Sequence, residues 1–146
     1  MKAQYLAITA TLLLAGPVAR AQNKVALYSF GEPGQASYEQ LSFWAKAGKR
    51  TDIYYVYGAD RKQVRLKYLG KSLPGSKPGF RVQFANGHVL AIVPSGLRLA
   101  VSGAGQAPKS FAWEYEGPVD GIGTFCEPCA ADEKEAMQVL RTYYLK

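Results

Sequence analysis

The chain is poor in histidine and cysteine, two residues on which many catalytic sites depend. Its 146 residues include one histidine, His88, and two cysteines, Cys126 and Cys129. A single histidine beside a turn leaves a Ser-His-Asp or Cys-His site without a candidate base. One cysteine pair falls short of the four ligands of a structural zinc, or the three plus water of a catalytic one. Neither a metal nor an organic cofactor is therefore expected. No apolar run approaches the roughly 18–20 residues that cross a bilayer as a helix. After residue 21 no repeat, charge block or low-complexity linker divides the chain, so residues 22–146 read as one domain.

The first 21 residues carry the pattern of a secretory leader. Lys2 supplies a positive start, Leu6 to Ala15 a short apolar stretch, and Ala19-Arg20-Ala21 a small-x-small cleavage site before Gln22. No cysteine follows that site, which excludes the usual bacterial lipoprotein pattern, and no twin arginine precedes the apolar stretch. The expected product is an exported domain, periplasmic or secreted. Removing Lys2 and Arg20 with the leader lowers the formal charge from +7 to +5. That balance suits an anionic ligand or an envelope component, a small apolar ligand being expected only if the fold encloses a cavity, and export makes nucleic acid the least suitable partner.

What the sequence has in abundance is aromatic side chains: ten tyrosines, six phenylalanines and two tryptophans. They favour strands. Lys24 to Phe30 reads as a first strand and Gly31-Glu32-Pro33-Gly34 as a turn. Tyr38 to Gly48 reads two ways: Tyr38, Leu41 and Ala45 sit at helical spacing with Gly48 as a C-cap, yet Leu41, Phe43 and Ala45 also alternate with Ser42, Trp44 and Lys46. The hairpin is favoured, because a tight turn at Ala47-Gly48 leads into the β-branched and aromatic run Asp52 to Tyr57. From Lys62 to Leu69, Val64, Leu66 and Tyr68 share one face and Arg65 and Lys67 the other, the period of a half-buried strand. Phe80 to Val93 predicts a hairpin: Phe80, Val82 and Phe84 on one arm, a two-residue type I′ turn at Asn86-Gly87, and Val89, Ala91 and Val93 on the other. Leu97 to Val101 and Phe111 to Tyr115 complete the strands.

The end differs. Ala130 to Tyr144 predicts an amphipathic helix whose apolar stripe is Ala136, Met137, Val139, Leu140, Tyr143 and Tyr144. Asp132, Glu133 and Glu135 near its start and Arg141 near its end match the helix dipole. The expected fold is mainly β: an antiparallel meander of seven or eight strands, curled or closed into a barrel, with one C-terminal helix. Accumulating twist and the hazard of open edges both favour closure. The layout resembles the lipocalin-like up-and-down barrels, although their Gly-x-Trp pattern is missing near the first strand.

Three groups of residues could carry chemistry. Cys126-Glu127-Pro128-Cys129, just before the helix, resembles the C-x-P-C active site of thioredoxin-type oxidoreductases. The resemblance implies a thiolate activated by a helix N-terminus. That fold needs further strands after the motif helix, whereas only 17 residues follow Cys129. A local structural disulfide is therefore expected, with thiol–disulfide exchange as the alternative. Glu114 and Glu116 alternate on one strand and would share a face, as paired carboxylates must in a glycosidase; a solvated face accounts for them equally. Finally, Lys49, Arg50, Arg61, Arg65 and Lys67 flank Tyr54, Tyr55 and Tyr57 on adjacent strands. Of these, Tyr54, Tyr55, Tyr57, Arg61, Arg65 and Lys67 are the candidate ligand-binding set, by charge and stacking. If the barrel instead encloses a cavity, Phe80, Val82, Phe84, Val64 and Leu66 would line it. The expected function is binding or structural rather than catalytic, with an envelope-associated interaction module as a further alternative.

Overall fold

The structure, a computed structural model, describes residues 24–46, 48–118 and 132–145; the leader and the Cys126–Cys129 motif lie outside them. Eight strands follow in order: β1 (Lys24–Phe30), β2 (Glu39–Ala45), β3 (Asp52–Tyr57), β4 (Lys62–Lys71), β5 (Phe80–Gln83), β6 (Val89–Ser95), β7 (Arg98–Gly103) and β8 (Lys109–Pro118). Each pairs antiparallel with the next, and β1 also pairs with β8, from Lys24↔Pro118 to Ser29↔Ala112. The meander is thus a closed barrel, and closure removes both sheet edges.

Period-2 alternation decides what lies inside. Tyr28, Leu41, Phe43, Ile53, Leu66, Phe80, Val82, Ile92, Leu99 and Phe111 form one buried cluster. Phe43 sits among aromatic neighbours, meeting Tyr28 at 6.2 Å and Phe80 at 5.9 Å between ring centroids, both edge to face. Eight strands enclose a space just wide enough for side chains to fill, and these side chains pack together inside it. Of the expected cavity lining, Phe80, Val82 and Val64 are corrected, whereas Leu66 and Phe84 also border a cavity beside β4. Phe80, Val82 and Leu66 are core residues packed with one another, and Phe84 leans against that core. Val64 is half-buried opposite Tyr55.

The β5–β6 hairpin forms, but in a different register from the one its Asn-Gly signal predicts. Gln83 pairs with Val89 and Val82 with Leu90. The loop is therefore Ala85-Asn86-Gly87, one residue longer than a type I′ turn allows. Among these only Gly87 has positive φ, at 88°, and its amide donates to the Phe84 carbonyl at 3.0 Å while the Phe84 amide donates to the His88 carbonyl at 2.9 Å. That is a three-residue loop with a glycine bulge. The core explains the choice. A two-residue loop would face Ala91 and Val89 inward, whereas the observed register buries Leu90 and Ile92 and leaves Val89, Ala91 and Val93 on the outside. The Asn86 side chain contributes by accepting the His88 amide at 3.0 Å. A Cβ on Gly87 would meet no atom within 4 Å, so Gly87→Ala tests backbone strain alone. It should cost about 1 kcal/mol in a urea titration.

The C-terminal helix α1 (Glu133–Val139) starts at the N-cap Asp132, whose carboxylate accepts the Glu135 amide. It runs into a π-helical turn, Leu140–Tyr144, closed by the Leu145 amide on the Leu140 carbonyl at 2.8 Å. Helix α1 contacts β6 and the π turn contacts β2, strands on opposite walls, so the segment lies across one end of the barrel. Leu140 and Tyr144 join the interior cluster. The predicted stripe is corrected at Tyr143, which is 40% exposed and carries the Lys24 ammonium 5.0 Å from its ring centroid. The wider π turn brings Tyr144, rather than Tyr143, back over Leu140.

Candidate functional site: a cationic groove beside β4

Strand β4 is ten residues long, yet each half has a pairing partner on only one side. Lys62 to Leu66 pair with β3, and Lys67 to Lys71 pair with β5. A register shift between Tyr68 and Gly70 bends the strand where its partners change. Beside this thinly paired seam lies a cavity of about 900 Å³, at the upper end of the usual range for small-molecule sites. Ile53, Leu66, Phe84 and the terminal Tyr144 and Leu145 give it apolar walls, while Arg50, Arg65 and Lys67 give it cations.

The cations are not equivalent. Arg65 is paired with Asp52, which also holds the Lys46 ammonium at 2.8 Å. The hydrogen bond from Lys46, and next the Arg65 guanidinium, hold the Asp52 carboxyl below its ordinary pKa. Arg50 and Lys67 are exposed and have no acidic partner among the described residues.

The six candidate binding residues do not form one surface. Lys67 and Arg65 line the groove. Tyr54 faces outward opposite Arg65. Tyr55 and Tyr57 turn the other way and stack on each other at 5.8 Å, with Phe84 against Tyr55 at 5.2 Å. Arg61, in a left-handed backbone conformation at φ 52°, lies over the Tyr38 ring at 5.5 Å. The strand register expected for Glu114 and Glu116 is interrupted too. A bulge leaves Glu114 as the extra residue, with Tyr115 opposite Leu27 and Trp113 opposite Tyr28, so Glu114 and Glu116 no longer hold equivalent positions. Glu114 accepts hydrogen bonds from Ser29 at 2.6 Å and Gln40 at 2.7 Å on the outer wall. His88 is exposed, its ring 5.9 Å from that of Phe84.

In the sequence Arg50 is only a flanking charge and Phe84 and Leu66 are candidate cavity residues, while nothing there points to Tyr144 and Leu145 as groove residues. The shortened pairing of β4 is what brings them together, and alternation along one strand does not encode it. Among the described residues, no cluster of three His, Cys, Asp or Glu side chains could hold a metal ion, and no helix is long and apolar enough to cross a membrane. No family model matches the chain, and neither a curated protein nor a solved structure matches it.

Proposed function

We infer that this chain is an exported, non-catalytic binding domain that holds an amphipathic anion in the groove beside β4. The observation that carries the reading is the pairing of opposite surfaces in one cavity: apolar Ile53, Leu66, Phe84 and Tyr144 under the exposed Arg50 and Lys67. An acid with an aliphatic tail satisfies both, burying the tail and placing its charge between two cations that lack acidic partners among the described residues. The leader pattern at residues 1–21 supports the exported setting, and a single histidine, exposed beside a turn and outside the groove lining, supports binding without turnover.

Decanoate is a suitable probe, with decanol as its uncharged counterpart. Arg50→Glu with Lys67→Glu should weaken decanoate binding by about tenfold or more, because like charges then face the ligand. Decanol binding should change little. Wild-type affinity for decanoate should fall as salt rises. Equal losses for acid and alcohol, or none for either, would remove the groove from consideration.

A further inference from the structure

The helix covers one end of the barrel; at the other, an ion pair occupies positions that belong to the inner wall. Glu39 follows the inward parity of Leu41 and Phe43, and Lys109 that of Phe111. The two are ion-paired across β1, which separates their strands in the sheet. Between them stands Phe30, register partner of Glu39, and the Lys109 ammonium lies 5.3 Å from its ring centroid. The second carboxylate oxygen of Glu39 accepts the Tyr55 hydroxyl, and Tyr57 is the register partner of Glu39 on the far side.

We propose that this mouth is a receptor for a primary ammonium group on a short apolar stem, with Lys109 as its built-in occupant. A carboxylate beside the Phe30 ring, with Tyr57 its register partner on the neighbouring strand, offers what an ammonium recognises: a counter-charge and an aromatic face. The Lys109 ammonium already makes both kinds of contact, and so marks where a ligand's ammonium would sit. The relative burial of the pair says which partner yields. The Glu39 side chain is 16% exposed and that of Lys109 is 44% exposed. Lys109 can swing into water at small cost, whereas Glu39 is held in place by Tyr55. Burial, and then the hydrogen bond to Glu39, raise the Tyr55 hydroxyl above its ordinary pKa, so it remains a donor to the carboxylate at neutral pH. An internal occupant lowers the apparent affinity of any external one by the fraction of time it vacates the site. Lys62, the exposed register partner of Tyr57, stands at the same rim. An anion held by Lys62 and Lys109 is therefore the opposite outcome that the experiment must separate.

The experiment titrates the purified protein with 2-phenylethylamine and, in parallel, with 3-phenylpropionate, following backbone amide shifts. In the wild type the amine should move the amides of Phe30, Glu39, Tyr57 and Lys109 rather than those of the β4 groove, with weak affinity. Lys109→Met keeps the aliphatic stem and removes the competitor, and should tighten amine binding by about tenfold. Adding Glu39→Gln to that variant should abolish the gain, and the acid should bind none of the three forms at this end. The wild-type arm needs no substitution, so a variant that fails to fold does not decide the matter. Amine shifts confined to the groove, no gain in a folded Lys109→Met protein, a gain that survives Glu39→Gln, or binding of the acid at the mouth would each overturn the proposal. The probes and residues differ from those of the anion groove, so either reading can fail alone.

Discussion

Phe43→Ala is expected to lower the unfolding free energy by about 3–5 kcal/mol, the range for truncating a buried aromatic side chain. Phe43 is fully buried on β2 and packs edge to face between Tyr28 of β1 and Phe80 of β5. Those strands lie on different walls, so the ring bridges the lumen rather than lining one side of it. Removing it costs the transfer energy of the ring, leaves a cavity, and forfeits two aromatic contacts worth about 0.5–1.5 kcal/mol each beyond their area. The neighbours cannot collapse into the gap without shifting strands that barrel closure holds in register. Leu97, half exposed in the β6–β7 turn, is the control: Leu97→Ala should stay within about 0.5 kcal/mol. Urea titration of both variants, with unchanged denaturant slopes, is the measurement. Similar small losses would show that the interior is not closely packed around Phe43.

Much of this fold is legible in the sequence because a strand reports its own faces. Val64, Leu66 and Tyr68 opposite Arg65 and Lys67 identify inner and outer walls from neighbouring residues alone, whereas Leu41, Phe43 and Ala45, at both strand and helical spacing, are decided by the β-branched run that follows. The meander follows from short turns between most of the strands, and closure from their number and accumulated twist. Register is less accessible. At Asn86-Gly87 the local turn preference and the core disagreed by one residue, and burial of Leu90 and Ile92 prevailed, since one residue of slip exchanges the two faces of a strand.

The sites were less legible than the fold for a related reason. Tyr54, Tyr55 and Tyr57 look like one cluster in sequence, yet consecutive strand residues point to opposite faces, so Tyr54 belongs to the outer wall and the other two to the inner one. Glu39 and Lys109 are far apart in the chain and meet only because β8 closes onto β1. The groove depends on where β3 begins and β5 ends relative to β4, a stagger set by the whole barrel. Charge and aromatic content were visible in advance; their placement needed the long-range pairing.

Leu140→Ala should cost about 2–5 kcal/mol, as a core truncation does, although Leu140 lies in a short segment at the edge of the fold. The helical segment, seven α-helical residues followed by a five-residue π turn, only reaches the lower end of the roughly 12–15 residues at which an isolated helix becomes even marginal in water. Its order must come from docking, and Leu140, 1% exposed, provides much of the docking surface together with Met137 and Tyr144. Because Leu140 and Tyr144 belong to the same cluster as Phe43 and Phe80, the segment completes the core instead of resting on it. Truncation should therefore lower the single unfolding transition of the whole barrel, with no earlier transition of the helix alone. Gln138→Ala, exposed on the same helix, should stay within about 0.5 kcal/mol. Hydrogen exchange separates the alternatives. If Leu140→Ala frees the α1 amides while strand amides keep wild-type protection, the segment is a detachable cover and the barrel's stability does not depend on it. If both lose protection together, closing this end is part of folding the barrel, and the groove walls that Tyr144 and Leu145 supply form only when the core does.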